Sequence, residues 1–287
     1  MKVLLEAPIL TQSGYGEHSR LVYRALESEN IDLCINPLSW GQTSWISSFD
    51  EERSKIEKCI NNFFEAHQQL KAGIPVEFDM HIHVGIPNEF EKKAPYSICV
   101  TAGIETDRVS SNWIIKSIKE IDKIIVPSEH SKKVFESTAY QVVTESDEED
   151  KILQCGCPVA VVPYPVKEID SKDLDFELET KFNFLSVSLL GHRKNIDNMI
   201  NWFIDEFKND DVGLLVKTGG SSGSVMDREY TKNILKQIVS KQSDRKCKIY
   251  LLHGDLSESE VHSLYKRSDI HGYITTTHGE GYGLPLF

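Results

Sequence analysis

The sequence predicts an α/β protein made of two domains, each built around a parallel β-sheet. Short runs of β-branched and aliphatic residues alternate along the chain with amphipathic helical patterns, as expected when helices cover both faces of a parallel sheet. The length of 287 residues exceeds what one hydrophobic core usually serves, so two domains are expected. With 40% hydrophobic and 26% charged residues, the composition is that of an ordinary globular protein.

The strand-like runs fall into two groups, which set the predicted domain limits. The first domain is expected to span residues 1–168, with strands at 2–8, 32–37, 79–84, 96–101, 123–126 and 159–162. A polar, acidic stretch at 169–180 is expected to be a linker. The second domain, 181–287, is expected to have strands at 182–189, 213–217, 248–252 and 272–276. The charge run 144–150 is typical of a solvated loop.

Charge and cysteine usage exclude several classes of protein. The formal net charge of −12 opposes binding to nucleic acid or to anionic membrane surfaces. No apolar run approaches the ~20 residues of a membrane-spanning helix, so we expect no transmembrane segment and a cytoplasmic location. The six scattered cysteines are typical of reduced thiols. Cys155 and Cys157 suggest a metal or redox pair as an alternative, but no second pair or nearby histidine completes it.

A phosphate site is predicted where the first strand of the second domain leads into a helix. That helix is predicted to begin at Asn195, a good N-cap, and its apolar residues recur at helical spacing: Ile196, Met199, Ile200, Phe203, Ile204 and Phe207. Arg193 and Lys194 immediately precede it, and a helix N-terminus favours anions. Lys217 ends the next strand and faces the same edge if the strands are parallel. It is either a second phosphate contact or a surface lysine before the Gly/Ser-rich stretch 219–224.

A second glycine-rich turn, Gly14-Tyr15-Gly16, lies between the first predicted strand and a helical pattern. Its backbone is suited to close approach by a ligand, although such turns serve plain packing about as often. The third glycine of the dinucleotide fingerprint is missing, which disfavours an NAD enzyme.

The last twenty residues, SDIHGYITTTHGEGYGLPLF at 268–287, resemble the donor-site segment of family 4 glycosyltransferases, the retaining GT-B enzymes. The stretches 14–20, 105–114, 125–135 and 193–195 are similar to the same family and occur in the same order. The resemblance spans nearly the whole chain. It implies a GT-B-like fold of two Rossmann-like domains, with the acceptor side in the first and the nucleotide-sugar site in the second.

The resemblance also implies roles for individual residues. Lys194, helped by Arg193, would hold the donor diphosphate and stabilise the departing nucleoside diphosphate. Glu280 would bind hydroxyls of the transferred sugar. Glu105 stands where the family often has a histidine, and it either binds acceptor or sugar hydroxyls or is a helix-entry acid. His253 and Gly254 lie where the family usually places the nucleobase. The other donor-binding candidates are the glycine-rich turn, the lysine that ends the second strand of the second domain, and the three residues after Glu280: Gly14, Tyr15, Gly16, Lys217, Gly281, Tyr282 and Gly283.

The expected activity is transfer of a hexosyl unit from a UDP- or GDP-sugar to a hydroxyl acceptor with retention, without cofactor or metal. The alternatives are a nucleotide-sugar epimerase, a phosphorylase-like enzyme and a non-catalytic fragment that binds sugar nucleotides. The family's second glutamate would fall at position 288. The second domain is therefore expected to be incomplete and the chain to have little activity. Donor base, sugar, acceptor and oligomeric state are left open.

Two further patterns resemble metal-binding motifs, but neither is interpreted as a metal site. His81 and His83 alternate on a predicted strand and so share a face, but the sequence offers no identifiable third ligand. Asp173 and Asp175 match the Asp-x-Asp motif of the other large glycosyltransferase fold, yet they fall in the acidic linker and are expected to be solvated. No metal site is therefore expected.

Overall fold

The computed structural model describes residues 1–29, 31–47, 49–142, 151–166, 168–220 and 222–286. The predicted solvated loop at 144–150 lies outside these residues. The chain divides into two compact units. The first comprises Met1–Pro165 and Glu280–Leu284, and the second comprises Val166–Gly279 with the chain end from Pro285. Among the described helices, none is long and apolar enough to cross a bilayer.

The first unit contains a six-stranded parallel sheet in the order β2-β1-β3-β4-β5-β8. Each of the six predicted strands is present to within one residue at either end. A short antiparallel pair, β6 and β7, was not predicted. The elements are β1 Lys2–Ala7, α1 Gly14–Ser28, β2 Asp32–Pro37, α2 Glu51–Lys71, β3 Met80–Val84, β4 Tyr96–Val100, α3 Ser111–Lys119, β5 Lys123–Val126, α4 Glu129–Ser137, β6 Tyr140–Val142, β7 Lys151–Leu153 and β8 Val159–Val161.

Strand β1 shows why this sheet lies inside the unit. Five consecutive residues of β1, from Val3 to Ala7, are buried, as expected for a central parallel strand covered on both faces. Alternate side chains point to opposite faces. Val3 and Leu5 pack with Tyr23 of α1 and Ile56 of α2 in one apolar cluster. The other face carries a buried acid, Glu6, which has consequences described below.

The second unit contains a four-stranded parallel sheet in the order β11-β10-β9-β12. Its last strand begins two residues earlier than predicted, with a register shift between Ile270 and Gly272. Helix α5 buries the predicted apolar stripe against the sheet. The elements are β9 Phe182–Val187, α5 Ile196–Phe207, β10 Val212–Lys217, α6 Val225–Ser240, β11 Lys248–Leu252, α7 Glu258–Lys266 and β12 Ile270–Tyr273.

The predicted linker at 169–180 packs on the second unit. Leu174, Phe176 and Leu178 join an apolar cluster with Leu185 and Leu215. The Arg267 guanidinium lies 4.3 Å from the Phe176 ring centroid, and it also donates to the Phe176 carbonyl oxygen. The acidic residues that suggested a linker alternate with these apolar ones. The segment therefore turns its charges to solvent and its apolar side chains inward.

Candidate functional site

The predicted phosphate-binding residues lie in a short 3₁₀ turn, His192–Lys194, between β9 and α5. The Lys194 N–H donates to the Gly191 carbonyl at 3.0 Å. Asn195 closes the turn in the left-handed conformation, with φ of 55°, which asparagine tolerates better than most residues. Its side-chain oxygen accepts from Asn198 Nδ2 at 2.7 Å and does not cap α5. Asn195 occupies the N-cap position of α5, as predicted, but its side chain makes no capping hydrogen bond because the preceding turn holds it in the left-handed conformation.

The 3₁₀ turn is fastened to the loop that follows β12. Arg193 Nη1 donates to the Gly279 carbonyl at 2.5 Å, and the His278 N–H donates to the Arg193 carbonyl at 2.9 Å. The Thr276 hydroxyl donates to the Asn195 carbonyl at 3.1 Å. These bonds form because β12 lies directly beside β9 in the sheet. They hold the backbone on both sides of Lys194 and use part of the Arg193 guanidinium for structure.

Lys217 lies at the same edge of the sheet as this turn. It ends β10 opposite Val187 of β9, and its carbonyl accepts from the Ser188 N–H at 3.0 Å. Burial lowers the pKa of the Lys217 ammonium, an effect that the nearby Asp255 charge partly offsets. A partly buried cation at the carboxyl end of a parallel strand is well placed for a phosphate ligand.

His253 follows β11, as predicted, and is held by an acid that the sequence interpretation missed. Its Nε2 lies 2.7 Å from Asp227 Oδ2, and both side chains are nearly inaccessible to solvent. The same oxygen accepts from the Gly220 N–H at 2.9 Å. The carboxylate oxygen can only accept, so Nε2 carries the hydrogen of this bond. The available signal was the position of Asp227 in the first turn of α6, where acids are favoured.

Glycines let the backbone run close to this pair. A Cβ at Gly220 would lie 2.5 Å from Asp227 Oδ1, and one at Gly219 would lie 3.2 Å from His253 Nε2. Gly254 has φ of +112°, a conformation that favours glycine. Lys217 is the last residue of β10, whereas Arg193 and Lys194 follow β9, and His253 and Gly254 follow β11.

The predicted glycine-rich turn lies in the first unit, at the start of α1. Ser13 caps the helix by accepting from the Gly16 N–H at 2.9 Å. A Cβ at Gly16 would lie under 3.0 Å from the Thr11 carbonyl oxygen, which gives this glycine a packing reason. The Tyr15 hydroxyl bonds to Thr101 Oγ1 at 2.9 Å and accepts from the Ala102 N–H at 3.1 Å. It thereby fixes α1 to the end of β4.

Residues 280–284 also lie in the first unit, although the sequence analysis includes them in the second domain. The reason is local packing, since a Cβ at Gly281 would lie under 3.0 Å from the Ala102 carbonyl oxygen. The Tyr282 ring packs edge-on against Tyr164 with centroids 4.4 Å apart. Gly283 has φ of 86°. Glu280 and the glycines that follow it therefore belong to the same unit as the Gly14–Gly16 turn.

Tyr164, which packs against Tyr282, also forms a buried hydrogen-bonded pair that was not identified from the sequence. Tyr164 Oη and His18 Nδ1 are 2.9 Å apart. Burial lowers the pKa of His18 to about 4, so the ring is neutral at physiological pH. The helical spacing of His18 within α1 gave no sign of this distant partner.

The other candidates named from the sequence are Glu105, the pair Asp173 and Asp175, and the cysteine pair. Glu105 is exposed in the loop between β4 and α3, so its ligand role stays a prediction. Asp173 and Asp175 are exposed. The Cys155 thiol donates to the Cys157 carbonyl oxygen at 3.4 Å.

Comparison with known proteins identifies the fold. No protein-family model matches the chain, and no curated protein sequence matches it. Solved structures do match. The lipopolysaccharide outer core galactosyltransferase WaaB, in its apo form, has a TM-score of 0.53 at 12% identity, over 100% of this chain and 77% of that chain. The trehalose-6-phosphate synthase OtsA has a TM-score of 0.53 at 10% identity, over 98% of this chain and 79% of that chain.

A third solved structure, a trehalose-6-phosphate protein from E. coli bound with UDP-2-fluoro glucose, has a TM-score of 0.51 at 10% identity. It covers 98% of this chain and 79% of that chain. The chain therefore has the α/β fold of the GT-B glycosyltransferases. The predicted fold class, with Rossmann-like units around parallel sheets, is confirmed.

Proposed function

We propose that this protein transfers a hexosyl unit from a UDP- or GDP-sugar to a hydroxyl acceptor with retention of configuration. The donor diphosphate binds at the carboxyl edge of the second sheet, and the first unit provides the acceptor side. The fold supports the class of enzyme, and one of the solved structures with this fold is bound with UDP-2-fluoro glucose. Fold alone does not fix activity, so the assignment depends on the residues of the second unit.

The observation that carries the proposal is the fastened turn that presents Lys194. Hydrogen bonds from the loop after β12 hold the carbonyls of Arg193 and Asn195, the two neighbours of Lys194. A cation on such a constrained backbone is preorganised for an anion, which is the condition for effective electrostatic stabilisation. Lys217 supplies a second cation on the adjacent strand. Two positive charges at one sheet edge match a diphosphate.

The chemistry needs little from the protein beyond position and charge. The acceptor oxygen bonds to the anomeric carbon while the bond from that carbon to the phosphate oxygen breaks. The acceptor proton passes to the departing phosphate oxygen. Lys194 stabilises the negative charge that develops on the nucleoside diphosphate, and positioning supplies much of the remaining rate. Glu280 orients the sugar through its hydroxyls.

A panel of nucleotide-sugars, measured by thermal shift and then by product formation, tests the proposal. A ligand that binds the folded state raises the melting temperature with concentration, so UDP- or GDP-sugars are expected to do so. Transfer to a hydroxyl acceptor with retained configuration supports the full proposal. Binding without product would identify a non-catalytic module, and an epimerised or phosphorolysed product would identify the alternative enzymes. No shift with any nucleotide-sugar would contradict all of these assignments.

Replacing Lys217 by methionine is expected to stabilise the unliganded protein and weaken nucleoside diphosphate binding. Burial of its charge is unfavourable, and its removal should give the usual gain of a single stabilising substitution, about 0.5–2 kcal/mol. The lowered pKa means that the folded state releases the proton first, so this gain is full at neutral pH and shrinks as pH rises through that pKa. Melting temperatures and UDP or GDP affinities at several pH values check this. Weaker stability with unchanged affinity would remove Lys217 from the site.

Chelation is expected to leave donor binding unchanged. The proposed diphosphate contacts are lysine ammonium groups, and a divalent ion between protein and diphosphate needs carboxylates beside it. UDP and GDP affinities before and after EDTA treatment make the measurement. Recovery of lost affinity on adding Mn²⁺ or Mg²⁺ would contradict the expectation and direct attention back to Asp173 and Asp175.

A further inference from the structure

Three buried polar side chains converge on one face of the first-unit sheet. Glu6 projects from β1, and His81 and His83 project from the adjacent strand β3, where Glu6 pairs in register with His83. They are 4%, 0% and 2% exposed, respectively. One potential ligand atom from each side chain lies within 4.8 Å of the other two. Among the described residues, no other set of three or more His, Cys, Asp or Glu side chains is grouped in this way. The missing third partner of the two histidines is therefore Glu6.

The histidines are not satisfied by the protein. His81 Nε2 bonds to Glu6 Oε2 at 3.0 Å. In the part of the chain that the structure describes, His81 Nδ1 and both ring nitrogens of His83 are buried without a hydrogen-bond partner. Burying a polar nitrogen without a hydrogen-bond partner is unfavourable. The His83 ring thus presents two nitrogen atoms that could serve as metal ligands, close to a buried carboxylate.

A cavity of about 360 Å³ gives this cluster a route to solvent. Glu6 and His83 both line it, together with Gly85. A Cβ at Gly85 would lie 2.6 Å from His83 Nε2, so the glycine leaves room beside that nitrogen. The charged side chains of the wall are three carboxylates and one ammonium: Glu6, Glu89, Glu91 and Lys93. This balance favours a cation.

Hydrogen bonds from neighbouring side chains orient the Glu6 carboxylate. Lys93 Nζ and Asn36 Nδ2 both donate to Oε1, each at 2.7 Å. Oε2 faces His81. One oxygen is thus oriented by outer partners, as is usual for metal-ligating carboxylates, and the other is directed at the histidines.

We propose that Glu6, His81 and His83 bind one divalent transition-metal ion, Zn²⁺ by preference, with a fourth position open to the cavity. Two imidazoles and one carboxylate suit Zn²⁺, whereas Mg²⁺ and Ca²⁺ prefer oxygen ligands. The spacing of 3.0 Å between His81 Nε2 and Glu6 Oε2 is near the ~3.3 Å edge of a tetrahedron with bonds of ~2.0–2.2 Å. Binding exchanges that hydrogen bond for two metal bonds, and the His81 ring then carries its proton on Nδ1.

The test is metal binding by the whole chain after chelator treatment and removal of the chelator. Wild-type protein is expected to bind one equivalent of Zn²⁺, to melt at a higher temperature with it, and to give the visible absorption of low-coordinate Co²⁺ when loaded with cobalt. His83→Gln and Glu6→Gln are expected to lose affinity by more than the ~10–100-fold attributed to outer partners of metal ligands. His67→Ala, which removes an exposed histidine of α2, is the matched control and should bind as wild type does.

Absence of one-equivalent Zn²⁺ binding by the wild-type chain would overturn the proposal without reference to how any variant folds. Equal loss in the His67→Ala variant would also overturn it, because it would show adventitious surface binding. Donor affinity is measured separately with UDP and GDP. A chain that binds nucleotide but no Zn²⁺ refutes this inference alone, and the reverse result refutes the proposed function alone.

Discussion

Lys194→Ala is expected to reduce kcat/KM for sugar transfer by about 2–4 kcal/mol, or roughly 30- to 1,000-fold. The ammonium follows β9 on a turn whose flanking carbonyls are fixed by the loop after β12. In the variant, the negative charge that develops on the departing diphosphate would no longer be stabilised by a cation that is already in position. UDP or GDP affinity should fall as well, because the diphosphate is present in both complexes. Steady-state kinetics and calorimetric titration make the two measurements.

Two further variants separate this role from general effects of charge. Lys236→Ala removes an exposed cation from α6 of the same unit, and it should leave affinity and turnover unchanged. Lys194→Arg keeps the charge but changes its shape, so it should retain part of the affinity. If Lys194→Ala bound nucleoside diphosphate and turned over as wild type does, Lys194 would have no place in the donor site.

Gly16→Ala is expected to destabilise the first unit by roughly 1–3 kcal/mol, the scale of overpacking in a well-packed region. The new Cβ would lie under 3.0 Å from the Thr11 carbonyl oxygen, and the backbone there is tied to Arg20 by a hydrogen bond of 3.1 Å. Alanine favours a helix over glycine by about 1 kcal/mol. The clash exceeds this gain because a backbone atom must move to relieve it. Thermal melting of the variant measures the effect.

Gly14→Ala is the matched control, since it makes the same change two residues earlier in the same helix. Its Cβ would meet only Leu284 Cδ1, at 3.9 Å, which is ordinary contact. Stability is therefore expected to be unchanged or slightly higher. Equal destabilisation by the two substitutions would show that the turn itself needs glycine and that the Thr11 contact is not responsible.

Local patterns were sufficient for the fold class and for most strands. Continuous apolar runs such as Val3–Leu5 mark strands buried on both faces, and the spacing of Ile196, Met199 and Ile200 marks one helix face. Capping was harder to predict. Asn195 occupies the N-cap position that its residue type favours, but it has the left-handed conformation and its side chain does not cap the helix. Side-chain type fixes a preference, whereas the preceding turn decides which conformation is available.

Short-range patterns were enough to predict the alternation of strands and helices and the shared face of His81 and His83. They also placed Lys217 at the end of a strand, and Lys194 and His253 after strands. These features depend on periods of a few residues. Three contacts could be seen only in the folded chain: Glu6 with the two histidines, Asp227 with His253, and Gly281 with Ala102. Such pairs are separated by 26 to 179 positions in the chain, and they meet because of strand order and register. Those are set by packing of the whole sheet, which no local pattern encodes.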